Sequence, residues 1–189
     1  MPESARPRLE PDEAERLRAE IAALKAEVER LKALADHDTL TPVLNRRAFV
    51  RELSRVMASA RRYGTPAALL YLDLDGFKGV NDGFGHAAGD LALKRVAELL
   101  VENVREEDVV GRLGGDEFGV LLQRADLEAA RSKAGALAAL LEADLFEWEG
   151  ARVRLGGSFG VRAFAGQPDA EAWLAEADAA MFVRKRSSR

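Results

Sequence analysis

"EDVVGRLGGDEFGVLLQ", residues 107–123, places two apolar β-type runs on either side of Gly114-Gly115. Such runs joined by paired glycines predict a β-hairpin with a tight turn. Asp116 and Glu117 follow the glycines directly, although adjacent like charges repel. A second run, "AALLYLDLD" (67–75), is apolar almost throughout, as in a strand buried on both faces, and it too ends in acids, Asp73 and Asp75. Side chains alternate along a strand, so these two acids share a face. If this strand lies beside the hairpin, acids from both meet. Clustered carboxylates repel unless one is protonated or a cation lies between them. Hard oxygen donors in a chain without cysteine favour Mg²⁺. The plainer alternative is that Asp73 and Asp75 only solvate a strand end.

Outward from these strands, helical patterns alternate with turns. Asn45 is placed to cap "RRAFVRELSRVMASARR", whose Phe49, Leu53, Val56 and Met57 share one face. "GFKGVNDGFGHAAGD" reads as a loop or a broken helix, and "LALKRVAELLVENV" as an amphipathic helix. "LEAARSKAGALAALLEADL" is helical. "ARVRLGGSFGVRAF" reads as a strand in which Gly156-Gly157 marks a bulge or a close approach, with an extra small hairpin in the domain left open. A last helix covers "DAEAWLAEADAAMFVRKR". Helices mixed with a hairpin predict an α/β (α+β) sandwich and not a doubly wound sheet.

The N-terminal part divides further. Residues 1–11 carry three prolines and mixed charge, and read as a disordered leader. Over 12–35, Leu17, Ile21, Leu24, Val28, Leu31 and Ala35 step alternately by four and three. That is a heptad seam of roughly three heptads, flanked by Glu, Arg and Lys, and it predicts a dimerising and signalling coiled-coil helix. A single surface helix packed on its own domain is the alternative. Residues 36–189 form the main domain.

Composition excludes several functions. The chain has 189 residues, a net charge of −4, no cysteine and two histidines. Disulfides and thiolate metal sites are therefore impossible, and no global field favours nucleic acid as a partner. No apolar run is long enough to cross a bilayer and no secretory signal is evident, so a cytoplasmic protein without a membrane partner is expected. Phosphate chemistry would rest on local groups. Amides of "DGFKGVNDGFG", near Lys78, can cradle phosphate oxygens. Asn81 and Asp90 bracket that loop and can bond a purine edge, although turn and cap chemistry explains them equally well.

"DTLTPVLNRRAF", "DLDGFKGVNDGFGHAAGD", "RLGGDEF" and "ADAAMFVRK" occur in the order found in diguanylate cyclases, and over about residues 36–189 the chain resembles this GGDEF-domain family. The resemblance implies a fold similar to the nucleotidyl cyclases, a mostly antiparallel central sheet surrounded by helices. It implies condensation of two GTP molecules into cyclic di-GMP, a bacterial second messenger, and two pyrophosphates. One domain would bind one GTP, so two must face each other, and the heptad seam would raise the concentration of the second half-site. An upstream protein partner would then act through that helix. By resemblance, Asp73 and the Leu74 carbonyl hold Mg²⁺, for which Mn²⁺ can substitute. Asp116, assigned as the base for the 3′-hydroxyl, and Glu117 are catalytic and metal-facing. Asn81 and Asp90 match the guanine-reading pair, and Gly76, Phe77 and Lys78 the phosphate loop. Lys185 and Arg189 match cations that hold the β- and γ-phosphates.

"REED" places Arg105 and Asp108 where the family carries its RxxD product-inhibition site. The chain departs from the family pattern at Pro42 and Ser188, where glycine is usual, and in "SKAGALAALL", which lacks an arginine that commonly completes the inhibitory site. A catalytically silent cyclic di-GMP receptor signalling through the coiled coil is the alternative reading.

Overall fold

The structure, a computed structural model, describes residues 11–187. Residues 1–10 of the expected leader, and Arg189, lie outside the described residues. The chain divides into two compact units, Met1–Asp36 and His37–Arg189. In the first, Pro11 already belongs to helix α1 (Pro11–Asp36). Proline suits the first helical turn, where an amide proton would have no partner. Leu17, Ile21, Leu24, Val28 and Leu31 of α1 are 40–60% exposed.

The second unit begins with a two-residue strand, β1 (Leu44–Asn45). Asn45 then caps α2 (Arg46–Tyr63), its side chain accepting from the Ala48 amide, and Gly64 ends the helix at φ 67°. β2 (Ala67–Asp75) leads into α3 (Phe77–Phe84) and α4 (His86–Glu102), so the glycine-rich segment is a broken helix. The break falls at Gly85, φ 83°. β3 (Val109–Arg112) and β4 (Glu117–Gln123) form the hairpin, followed by α5 (Leu127–Ala143). β5 (Leu145–Trp148), β6 (Ala151–Arg154), β7 (Gly156–Ala163) and α6 (Ala170–Ser187) complete the unit.

The five-stranded sheet has the order β1-β3-β4-β2-β7, and all its pairings are antiparallel except β1 with β3. A mostly antiparallel central sheet flanked by helices is what the resemblance implies, and it agrees with the α/β sandwich expected from the element pattern. β2 lies between β4 and β7, and helices cover it on both faces. Ala68, Leu70, Leu72 and Leu74 join residues of α4 and α5 such as Val96, Leu100 and Leu137 in one core. Leu69 and Tyr71 join Phe49, Leu53, Met57, Trp173 and Met181 of α2 and α6 in the other. Asp73 and Asp75 continue this second face at the carboxyl end of the strand.

Two readings of the β-regions change. "ARVRLGGSFGVRAF" is two strands and not one. β6 pairs with β5 in a separate ribbon, and β7 joins the main sheet. Gly157 marks a close approach, since a Cβ there would lie 2.6 Å from Leu72 Cδ1 and 2.9 Å from Leu141 Cδ1. The hairpin also turns without a left-handed glycine: neither Gly114 nor Gly115 has positive φ. The loop is too long for the two-residue primed turn that would require it, closing instead with Leu113 N donating to Glu117 O at 2.8 Å.

Candidate active site

The carboxyl end of β2 meets the hairpin as the paired acids suggest. Asp73 stands opposite Glu117 of β4 on one side and Ser158 of β7 on the other. Directly opposed residues share a sheet face, so Asp73 and Glu117 project together. The Asp116 carbonyl accepts from Leu74 N at 3.2 Å, which ties the turn to the strand. Glu117 has room because of Gly114, whose absent Cβ would lie 2.8 Å from Glu117 Oε2.

A cation from the protein itself reaches this face. Lys185, in the last turns of α6, ion-pairs with Asp73 Oδ1 and lies 3.3 Å from Asp75 Oδ1. Burial alone would lower the Lys185 ammonium, but the bonds and charges of Asp73 and Asp75 outweigh it and hold the lysine above its ordinary value. Ser158 Oγ donates to Asp75 Oδ2 at 2.9 Å. Burial pushes the Tyr71 phenol upward, and the charge and hydrogen bonding of Glu117 add to this. A cleft of about 400 Å³ opens here, lined by Asp73, Met181, Phe182, Lys185 and Arg186. That is within the range of small-ligand sites.

The second part of the site lies on α3 and α4. Gly76, at φ 78°, precedes α3 and accepts from Val80 N at 3.3 Å, so Gly76, Phe77 and Lys78 make the turn that starts the helix. Lys78 is exposed. Asn81 lies against α4 at Gly89, where a Cβ would be 2.1 Å from Asn81 Oδ1 and 3.3 Å from Phe77 Cζ. Gly89 is buried and Asp90 is exposed. The absent side chain at 89 is what lets the Asn81 amide lie against α4 one residue before Asp90.

Arg105 and Asp108 lie in the turn between α4 and β3. Asp108 accepts from Arg105 N at 3.0 Å and from Gln123 N at 2.9 Å, so its carboxylate also shapes the backbone. A second cleft of about 290 Å³ contains both residues, with apolar walls from Val43, Leu44, Val101 and Val104. It shares no lining residue with the Asp73 cleft.

The donor set suits a hard divalent cation in kind. Asp73 and Glu117 offer carboxylate oxygens from adjacent strands, and the pairing of Lys185 with Asp73 and Asp75 demonstrates that this face takes up positive charge. Among the described residues, no three His, Asp or Glu side chains are grouped closely enough to hold a metal. Asp73 is instead engaged by Lys185, the lysine matched by resemblance to the phosphates. Ser158 and Gly89 carry no local sequence signal. Only the pairing of β7 with β2, and the packing of α3 on α4, place them at the site.

The family described as diguanylate cyclase, GGDEF domain matches residues 35–189. Diguanylate cyclase DgcP of Pseudomonas aeruginosa is 40% identical over 163 residues, which is 86% of this chain and 24% of that protein. The probable diguanylate cyclase DgcE of Escherichia coli is 37% identical over 161 residues, 85% of this chain and 15% of that protein. The chain thus spans a quarter or less of the length of these two relatives. Among solved structures, the coiled coil and GGDEF domain of DgcB from Caulobacter crescentus, in complex with c-di-GMP, superposes with a TM-score of 0.77 at 29% identity. That match covers 92% of this chain and 96% of the other.

Proposed function

Since the chain belongs to the diguanylate cyclase GGDEF-domain family, we propose that it condenses two GTP molecules into cyclic di-GMP and two pyrophosphates. In each half-reaction a 3′-oxygen bonds to the α-phosphorus of the other GTP, the bond to the pyrophosphate breaks, and the hydroxyl proton leaves to a base. The observation that carries this reading is the register of β2 and β4, which sets Asp73 opposite Glu117 with Asp116 at the strand end. Asp116 is the proposed acceptor for the hydroxyl proton. Gly76, Phe77 and Lys78 would meet the phosphates. Asn81 and Asp90 would read guanine, with the Asp90 carboxylate accepting from its N–H groups. Lys185, and Arg189 beyond the described residues, would hold the β- and γ-phosphates. Mg²⁺, with Mn²⁺ as a substitute, would be held by Asp73, the Leu74 carbonyl, Asp116 and Glu117, and when bound would neutralise developing charge and lower the hydroxyl pKa. The protein's own share is placement and electrostatics.

The reaction needs two half-sites, so the active species would be a homodimer. The exposed apolar row of α1, Leu17 to Leu31, supports a parallel coiled coil that brings two domains together and receives the input of an upstream partner. Product would bind at Arg105 and Asp108 and inhibit. The test is GTP turnover against protein concentration, with and without added cyclic di-GMP, for the wild type and Asp116→Asn. A rate rising with the square of dilute protein, suppressed by product and abolished in Asp116→Asn, supports the reading. A purified dimer that makes no cyclic di-GMP refutes it.

A further inference from the structure

Arg112, the residue that opens "RLGGDEF", spends its guanidinium on two partners. Nε and Nη2 both donate to the Gly115 carbonyl, at 3.1 and 2.7 Å. Nη1 donates to Asp38 Oδ1 at 3.1 Å, across 74 residues of chain. The two side chains are only 16% and 18% exposed. The same Asp38 oxygen accepts from Leu40 N at 3.2 Å, Thr41 N at 2.9 Å and Thr41 Oγ1 at 2.8 Å. Asp38 N donates to Val43 O at 2.9 Å, and β1 pairs with the strand that bears Arg112, Asn45 standing opposite Arg112. Residues 37–45 are therefore fastened to β3 through backbone and side chain alike.

Backbone bonds close the turn at Leu113–Glu117 and tie Asp116 to Leu74, and Arg112 is what holds the Gly115 carbonyl between them. Gly114 and Gly115 do not hold the turn through a left-handed conformation, and a Cβ on Gly115 would meet open space. Gly115 immediately precedes Asp116. Arg112 holds the carbonyl on one side of the Asp116 Cα, and Leu74 N holds the carbonyl on the other. A paired, largely buried fork of this kind fixes geometry better than a lysine, which places a single point charge.

We propose that Asp38 and Arg112 are positioning residues for Asp116 and Glu117. They make residues 37–45, which follow α1 directly in the chain, the place where a displacement of that segment is read at the turn. This rests on the reading of Asp116 and Glu117 as the catalytic pair. Both residues act through the Gly115 carbonyl and touch no reacting atom.

The test uses Arg112→Lys, which keeps the charge and loses the fork, and Asp38→Asn, which keeps an acceptor for the Thr41 and Leu40 amides and loses the charge. Amide hydrogen exchange is measured on the full chain without nucleotide, and kcat and KM with GTP. In Arg112→Lys, exchange across 113–117 should accelerate at least tenfold while β2 and α4 stay protected, and kcat should fall at least tenfold with KM within threefold. Asp38→Asn should change both in the same direction by less, and serves alone if Arg112→Lys does not fold. Unchanged exchange at 113–117, or kcat within twofold of wild type in a folded variant, overturns the proposal. The exchange result does not need turnover, so a wild type that makes no product refutes the cyclase reading and leaves the clamp to be judged on exchange.

Discussion

Replacing Gly89 with alanine separates binding geometry from stability, because one methyl enters a space that Asn81 occupies. The new Cβ would lie 2.1 Å from Asn81 Oδ1 and 3.0 Å from Asn81 Cγ. Non-bonded carbon contacts settle at about 3.5–4.0 Å, and contacts to oxygen somewhat closer, so the amide must retreat by roughly 1 Å or rotate away. Hydrogen bonds tolerate only about 0.5 Å of spread, so a retreat of that size removes any bond from Asn81 to a bound base. A lost bond that leaves a partner unsatisfied costs about 1–3 kcal/mol. At about 1.4 kcal/mol per factor of ten, this predicts a 5- to 150-fold rise in KM for GTP.

Stability should respond differently. Alanine in a helix is favoured over glycine by about 0.5–1 kcal/mol. Overpacking costs about 1–3 kcal/mol where neighbours cannot yield. Asn81 lies at a half-buried position and can swing outward, which moves the balance toward neutrality. The expected variant folds with Tm within about 4 °C of wild type and discriminates poorly between GTP and inosine triphosphate, which lacks the 2-amino group. The assay is initial-rate kinetics with both nucleotides alongside thermal unfolding. A folded Gly89→Ala protein with wild-type KM and undiminished preference for GTP would refute the placement of Asn81 in the base pocket.

Lys185→Met should lose GTP affinity and also stability, because Asp73 and Asp75 then share a face without their ammonium. The pair lies between exposed and buried cases, so the cost is about 1–3 kcal/mol, and Mg²⁺ alone should raise the Tm of the variant more than that of the wild type. Arg105→Ala should raise the cyclic di-GMP concentration for half-inhibition at least tenfold with KM for GTP unchanged, as read in turnover assays with added product. For Asp38, burial alone would raise the carboxyl, but the Thr41 and Arg112 contacts outweigh it and hold it below its ordinary value. A depressed carboxylate stabilises above its unfolded pKa of about 3.9 and loses that contribution as pH falls through the folded value. Urea unfolding should therefore show the advantage of wild type over Asp38→Asn at pH 6 and its progressive loss as pH falls below the unfolded value of about 3.9.

The large elements were legible because their signals are local. The apolar run 67–75 is buried on both sides, and the Asn45 cap and the α2 stripe follow from residue type and spacing. β1 was not legible: two residues carry no period, and they form a strand only because β3 lies alongside. The division of 151–163 between two sheets turns on the packing of Gly157 against Leu72 and Leu141, which no local pattern reveals. The site divides in the same way. Asp73 and Glu117 are 44 positions apart, yet each stands at or near one end of a recognisable strand, so their meeting was foreseeable. Lys185 on Asp73 and Asp75, 112 residues distant from the first, was not, because a lysine near a helix end is as readily solvated as paired.

The charge of this face constrains how a nucleotide can arrive. Three carboxylates, Asp73, Asp75 and Glu117, stand against two cations, Lys185 and Arg186. A bare triphosphate approaching them meets net negative charge in a partly desolvated cleft, where repulsion is stronger than in water. Lys185 cannot compensate without leaving Asp73, and leaving exposes that carboxylate to its neighbour Asp75. A cation that travels with the triphosphate resolves both conflicts, since Asp73 keeps a positive partner while Lys185 turns to the phosphates. On the proposed reading, divalent metal should therefore strengthen equilibrium binding of a non-hydrolysable GTP analogue as well as turnover. That strengthening should shrink in Asp73→Asn, where one of the repelling charges is already gone.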